Sequence, residues 1–554
     1  FGMYFTGHYD GQNHSISNLY SNPSSSYVGL FGAGEGCLVE NLGRINVSVV
    51  GYSYIGGLMG LLKVGTITHC SVSGSAFGSG NYNQSIGGLV GEAYVGCSIS
   101  NCHSDCAVGG AYSNVGGLIG SNSNGCSISN CYCSGSVVAN GSNYVGGFVG
   151  SNYKCTVSNC FSNCDVSGDG LYFGGFAGLN ENTLSTISNC YSTGSVTRTD
   201  GTETNYGGFC GFNSSATIQY CYSLGAVAYS NGGTPTNAGF VGRQYGSPTY
   251  TDNSFNSETS GQTSGIGATA RTSSQMKSQS TFPNWDFESD WNIQSIGYKS
   301  YPYVMGITYD EPESAPAANP IPGLELVSPT VQASSVVFND VSSSSFVISW
   351  TNGNGLRRAV FVKEGSGAIT NPANSTSYAA SDDWNAKGSQ LGSSGYYCVY
   401  LGDESSVTLT NIRKNVLYTV QIFEFNGSVG SELYYTNTAS GNPISHTMKY
   451  SGGEGTEANP YQIATAEDLI ILSNAGEDWA SHFIQTANIA FNVDESLVDW
   501  DRDGTANWDE SDQLGFSPIG NSSFDFQGKY NGQNHTISNL FINRPSADEI
   551  GFFG

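Results

Sequence analysis

A glycine-centred block returns eight times along the first half of this chain, and that recurrence constrains the fold more than any other feature. It reads YVGLFG from Tyr27, YIGGLMG from Tyr54, SIGGLVG from Ser85, NVGGLIG from Asn114, YVGGFVG from Tyr144, YFGGFAG from Tyr172, YGGFCG from Tyr206 and NAGFVG from Asn237. A second block alternates with it: TITHCSVSGS, SISNCHSDCAV, SISNCYCSGSV, TVSNCFSNCDV, TISNCYSTGSV and TIQYCYSLGAV. Its marker cysteines are Cys70, Cys102, Cys131, Cys160, Cys190 and Cys221, so successive spacings are 32, 29, 29, 30 and 31 residues, and Leu42 holds the same place one unit earlier.

Each period holds about three short alternating segments separated by Gly, Asn or Ser, too little to bury both faces alone, so neighbouring units must stack. Stacked three-strand coils give a right-handed parallel β-helix, with a rise of about 4.8 Å per coil. In that arrangement the Ile, Val and Cys positions form inward columns, Ser, Thr and Asn face solvent, and glycines turn the corners with positive φ.

Composition narrows the partners. The 554 residues carry 44 acidic against 18 basic side chains, a net charge of −26. Nucleic acid and anionic lipid both need a basic patch, so neither is expected. No apolar run reaches the ~18 residues needed to span a bilayer. The chain opens on Phe1 without a signal peptide, which reads as a segment whose targeting signals lie elsewhere.

The glycine blocks resemble the GLUG motif family, named for its G-[LF]-[VI]-G core, over roughly residues 5–305 and the last thirty. The resemblance implies a β-helix of the kind found in large bacterial adhesins and in the non-catalytic region of some IgA-specific metallopeptidases. No HExxH stands in this sequence, so peptidase activity is not carried over.

Four regions follow, all of them all-β. Residues 1–305 form the β-helix, closed by a cap at Thr272–Gln294, where a short helical stretch precedes Trp285, Phe287 and Trp291. Large aromatics there suit a cover over the last coil. Residues 306–323 make a Pro/Ala-rich linker. Over 324–448 longer alternating strands take over, FVISW, AVFVK, VTLTNI and LYTVQIFEF. With Trp350 in the core and Tyr418 opening a late strand, they resemble a fibronectin type III, immunoglobulin-like sandwich with its tyrosine corner. The stretch between Lys363 and Tyr396 is longer than that fold usually allows. Residues 449–554 open a second β-helix, with Thr465 and Asp468 as a capping box before an amphipathic turn.

A longer repeat lies over the short one. FTGHYDGQNHSISNL at Phe5–Leu19 returns as FQGKYNGQNHTISNL at Phe526–Leu540, an offset of 526 − 5 = 521. A tandem array of cap, β-helix, cap and sandwich is the simplest account, so neighbouring copies are the expected partners.

The sharpest chemical motif is DWDRDGTANWDE, from Asp499 to Glu510. Asp499, Asp501 and Asp503 fall at positions 1, 3 and 5 of D-x-D-x-D-G-x5-E; Thr505 ligates through its carbonyl, Asn507 stands at position 9 and Glu510 at position 12. Ca²⁺ takes six to eight oxygens on a flexible loop, and this spacing wraps them around one point. The loop resembles EF-hand and dockerin loops, although Ala506 replaces the usual Ile and flanking helices are missing. Its expected role is structural; the alternative is a solvated acidic loop.

Other residues read as structural. The fifteen cysteines follow the repeat and act as small buried hydrophobes, with isolated bridges at Cys97–Cys126 or Cys102–Cys106 as the alternative. Counted from the marker cysteines, Asp105 aligns with Ser134 and Asn163, and Asp165 with Ser136 and Ser195, so no carboxylate column for glycoside or polysaccharide cleavage forms. His14 and His535 lack an acid or nucleophile partner. Tyr52, Tyr54, Tyr82, Tyr112, Tyr144, Tyr153 and Tyr172 offer glycan platforms, or pack on neighbouring turns. The reading is a non-catalytic structural or adhesive segment of a secreted bacterial cell-surface protein, with glycan-binding adhesin and degenerate carbohydrate-active β-helix behind it.

Overall fold

The computed structural model describes residues 4–554 except 80–83, 112, 200–204, 232, 234–236, 308–320, 343, 495, 497, 501–511 and 549. It divides into two compact units, 1–295 with 299–325, and 296–298 with 326–554.

The first unit is a β-solenoid. Strands of eight successive coils, from Phe31–Glu35 to Val241–Tyr245, pair in parallel in one sheet. A second parallel sheet runs from Ile55–Gly56 to Tyr206–Gly207, and a third and largest carries the cysteine block. Register is one residue per residue, so like side chains stack. Val39, Ile67, Ile99, Ile128, Val157, Ile187 and Ile218 form one interior column. All seven are buried, each worth about 1.5–3 kcal/mol against exposure.

Two expectations about residue roles are reversed. The corner before each marker cysteine is turned by asparagine, not glycine: Asn101, Asn130, Asn159 and Asn189 hold φ of 53, 51, 52 and 52°. Asparagine tolerates that left-handed region because its short polar side chain finds local partners. The paired glycines of the GG blocks instead answer to crowding. A Cβ on Gly146 would overlap the carbonyl oxygen of Val149, and one on Gly147 that of Gly175 in the next coil.

Asparagine and serine do not all face solvent either. Asn122, Asn152, Asn180 and Asn213 stack as a buried ladder, each Nδ2 donating to the next Oδ1 at 2.9, 2.9 and 3.0 Å. Ser162, Ser192 and Ser223 form another buried column, in which the Ser192 and Ser223 hydroxyls donate to the carbonyls of Gly208 and Gly239. A buried amide or hydroxyl is tolerated when it bonds, and the stack supplies the bonding partner.

The segment after Thr269–Arg271 folds back on the flank of the solenoid. Trp285 and Trp291 pack against Tyr222, with ring centroids 6.2 and 5.9 Å away, and Asp290 accepts from Asn189 Nδ2 at 2.9 Å. The aromatics expected over the last coil's end thus cover the outward column Phe161, Tyr191 and Tyr222.

In the second unit, two antiparallel sheets enclose one core. One orders Ser334–Ser342, Ser345–Thr351 and Ser406–Thr410; the other orders Tyr397–Gly402, Arg357–Glu364 and Leu417–Asn426, to which Ile444–Thr447 also pairs. Phe346, Ile348 and Trp350 from the first sheet meet Val360, Val362, Val420 and Ile422 from the second. The Tyr418 hydroxyl accepts from the Arg413 N–H at 2.9 Å, the corner contact expected of it. After the sandwich strands come the helix Ala466–Asn474, N-capped by Thr465 in a capping box with Asp468, and a small parallel sheet of Tyr461–Ile463, His482–Gln485 and Lys529–Asn531.

Candidate functional site

Asp499 is the one ligand of the proposed calcium loop within the described residues; Asp501, Asp503, Thr505, Asn507 and Glu510 lie outside them. Beside it, Trp500 is buried and its ring stacks on Phe491 at 5.1 Å, so the loop's start is anchored in the core of the last hundred residues. Among the described residues no group of three or more His, Cys, Asp or Glu side chains could hold a metal ion.

The fifteen cysteines are free thiols, and all are buried. Each marker thiol sits under the next backbone amide of its column: Cys70, Cys102 and Cys131 donate their N–H groups to the sulfurs of Cys102, Cys131 and Cys160, each at 3.4 Å. Cys97 and Cys126 repeat this with Cys126 and Cys155 at 3.2 Å. Burial pushes Cys102, Cys131 and Cys190 well above the ordinary thiol range, and Cys106 and Cys210 up to about 12. Protonated, enclosed thiols are poor nucleophiles. The column is packing material.

The carboxylates of the coils stand one by one. Asp105 pairs in register with Ser134, and Ser134 with Asn163; Asp165 lies opposite Ser136. Arg44 reaches Asp105 at 3.0 Å, and the Ser195 hydroxyl donates to Asp165 at 2.7 Å. The largest concavity of the first unit, about 670 Å³, runs along the flank between Phe161, Tyr191 and the Ile321–Leu324 strand of chain. Asn163, Asp165, Thr193 and Ser195 form its polar side, and Asp165 is its one carboxylate. Glycoside cleavage needs two such groups facing a shared bond.

The surface tyrosines stack on one another. Tyr27 lies on Tyr54 at 4.9 Å, and Tyr144 on Tyr172 at 5.5 Å, which in turn lies on Phe212 at 4.8 Å under the Arg243 guanidinium. Their ring faces are therefore largely spent on neighbouring coils. Tyr82 and Tyr112 lie outside the described residues. His535 accepts or donates at Nδ1 with Asn488 Oδ1, 3.2 Å away, and His14 gives its backbone N–H to Gly11, so both are used structurally.

Two buried ion pairs had no advance signal in the sequence. In the sandwich, Arg358 Nε donates to Glu424 at 3.1 Å, and Gly353 and Gly355 N–H groups complete the carboxylate. Further on, Lys414 meets Asp468 at 2.5 Å with both side chains fully enclosed, and Ser451, Thr465 and Ala464 satisfy what remains. Pairs so fully bonded hold a geometry more than they add stability. Trp384, inside the long stretch after Lys363, is another such residue: it sits in the sandwich core and donates to Glu364 at 2.8 Å.

Comparison with known proteins agrees with the solenoid. The GLUG motif matches four stretches, residues 82–108, 111–138, 141–167 and 169–197, all inside the stacked coils. Halomucin of Haloquadratum walsbyi is 28% identical over 332 residues, which is 57% of this chain and 3% of that protein. A protein of Evansella cellulosilytica, provisionally named a Gly-rich membrane protein, is 32% identical over 106 residues, 19% of this chain and 10% of its own length. The chain thus spans a small fraction of the relatives it resembles, and what it shares with them is repeat architecture. No helix among the described residues is long and apolar enough to cross a membrane.

Proposed function

We propose that this chain is a non-catalytic spacer segment of a large extracellular cell-surface protein, in which solenoids and sandwiches alternate. One observation carries the reading: the coil at Phe5–Leu19 returns at Phe526–Leu540 with the same left-handed corner, Asn18 at φ 58° and Asn539 at φ 57°. A unit that is built twice to the same plan, on coils bonded throughout in parallel register, extends a chain stiffly. The strand order of the 334–447 region and its tyrosine corner support a fibronectin type III-like spacer. The similarity to halomucin and to a protein named for a membrane places the surface role first.

Calcium belongs to the same reading. Asp499, Asp501, Asp503, Thr505, Asn507 and Glu510 offer an all-oxygen donor set of the kind Ca²⁺ takes, and the ion would brace the loop between Phe491 and Phe516. Chelation lowers the melting temperature of the 449–554 region and leaves the 326–448 sandwich unmoved; equal melting with and without chelator rules the ion out.

The second reading is a glycan-binding adhesin, favoured by the flank concavity with its Asn163, Asp165 and Thr193 side. A melting scan of the whole chain against a panel of oligosaccharides separates the two. A spacer shows no shift; a rise of several degrees with one sugar class selects the adhesin.

A further inference from the structure

Near-identical coils at the two ends of the chain differ in what lies against them. At 526–540 the coil rests on the strands that precede it: Lys529–Asn531 pairs in parallel with His482–Gln485, and Ile537–Ser538 with Ile489–Ala490. Lys529 N–H donates to the Ser481 carbonyl at 3.1 Å, Ile489 N–H to Thr536 at 2.8 Å and Phe491 N–H to Ser538 at 3.1 Å. Two side chains read the coil. Asn488 Oδ1 accepts the Thr536 N–H at 3.0 Å, and Gln485 Oε1 accepts the Tyr530 hydroxyl at 3.1 Å.

At 5–19 every partner of those contacts is repeated. Tyr9 stands for Tyr530, His14 for His535, Ser15 for Thr536 and Ile16 for Ile537. The backbone is repeated too: Gln12 and Asn13 hold φ of 47 and 61°, Gln533 and Asn534 of 50 and 60°. Here, however, His8–Asp10 and Ile16–Ser21 pair among the described residues on one side alone, with Leu38–Gly51. Tyr9 is 38% exposed, and Phe5, Ile16 and Leu19 are only half-buried against the solenoid core.

We infer that the outer edge of the 5–20 coil is a docking face for a second copy of this chain, filled by that copy's 461–491 strands. The register is fixed by the pairing already seen at 526–540: His482 of one copy opposite His8 of the other, and Ile489 opposite Ile16. An open parallel edge with half-covered apolar residues is what a β-strand partner completes. The contact is head-to-tail, so it extends into a line rather than closing a ring. In the intact chain the cap is filled by its own 526–554 coil, whose tethering gives it a high effective concentration over any second molecule. The inference deepens the array reading and rests on it.

Sedimentation of two altered chains tests it. A chain ending at residue 525 has an empty cap, and its average mass must at least double as concentration rises, while the 1–554 chain stays at one molecule. The full-length Tyr530→Asp, Ile537→Asp variant, which keeps every residue but spoils its own coil, must behave like the shortened chain. Adding Asn488→Ala and Gln485→Ala to the shortened chain removes both side-chain contacts and weakens association by about tenfold. Hydrogen exchange at residues 8–20 must slow when copies associate. If both altered chains remain single molecules, or associate with no added protection at 8–20, the docking face is wrong. The oligosaccharide scan and calcium chelation stay informative about the spacer reading in either case.

Discussion

The solenoid and the sandwich solve the problem of burying polar groups in opposite ways. In the solenoid the buried polar atom is always answered by its own kind one coil away, as Asn152 is by Asn122 and Asn180. In the sandwich each buried polar atom is answered by a unique and distant residue: Glu424 by Arg358, Gln332 by Tyr435 and Asn437, Asn442 by Ala333. Repetition lets one local rule satisfy many sites. A fold without repetition has to specify each partnership separately, and a fault in one is not shared out among neighbours.

The sandwich should therefore show the largest response to a single change. Arg358→Leu leaves the Glu424 carboxylate enclosed without its cation, at a cost of about 3–5 kcal/mol. Denaturant melts read by Trp fluorescence and by hydrogen exchange should lose the 326–448 transition and keep that of the solenoid; a shift of both would break the contrast. Next comes Gly147→Ala. The new methyl meets the Gly175 carbonyl and the Ser162 hydroxyl of the neighbouring coil, and about 3 kcal/mol is lost. Exchange should quicken on both adjoining coils, in a graded way along the stack.

Asn152→Leu is gentler, at about 2 kcal/mol, because it strands one donor on Asn122 and one acceptor on Asn180 while keeping the volume filled. Replacing Asn122, Asn152 and Asn180 together with Leu should cost less than three times as much, since an apolar column strands polar groups only at its two ends. Additive losses would refute the ladder as a unit. Smallest of all is Glu92→Gln. Burial holds the Glu92 carboxyl above its ordinary value, partly opposed by Ser85. The folded state thus binds this proton more tightly than the unfolded one, so the group's contribution is favourable in acid and fades as pH rises through the unfolded value toward the raised folded one. The Gln variant should be slightly more stable at pH 7 and equal to the parent near pH 3.

The solenoid was legible because its rule is periodic. Six cysteines spaced 29 to 32 residues apart forced a column, and Ile67 through Ile218 fell into register with them. Side-chain direction was less legible: the serine and asparagine positions that stack inside share their residue types with those outside, and only the three-dimensional stack decides which is which. Gly and Asn exchanged their expected duties because crowding between coils cannot be read along one strand. Lys414 and Asp468 are 54 residues apart with no motif between them, and Trp384 lies in a stretch lacking any regular pattern, so neither announces its burial. The calcium ligands beyond Asp499 remain a matter of spacing alone.

The one-to-one register of the coils has a genetic consequence. Because each coil presents to the next the same surface that it receives from the last, a recombination event that adds or removes a whole thirty-residue module meets a ready-made neighbour on both sides. Length in such a region can drift between strains as an almost neutral trait, while the sandwich, whose Arg358 answers only Glu424, admits no equivalent edit.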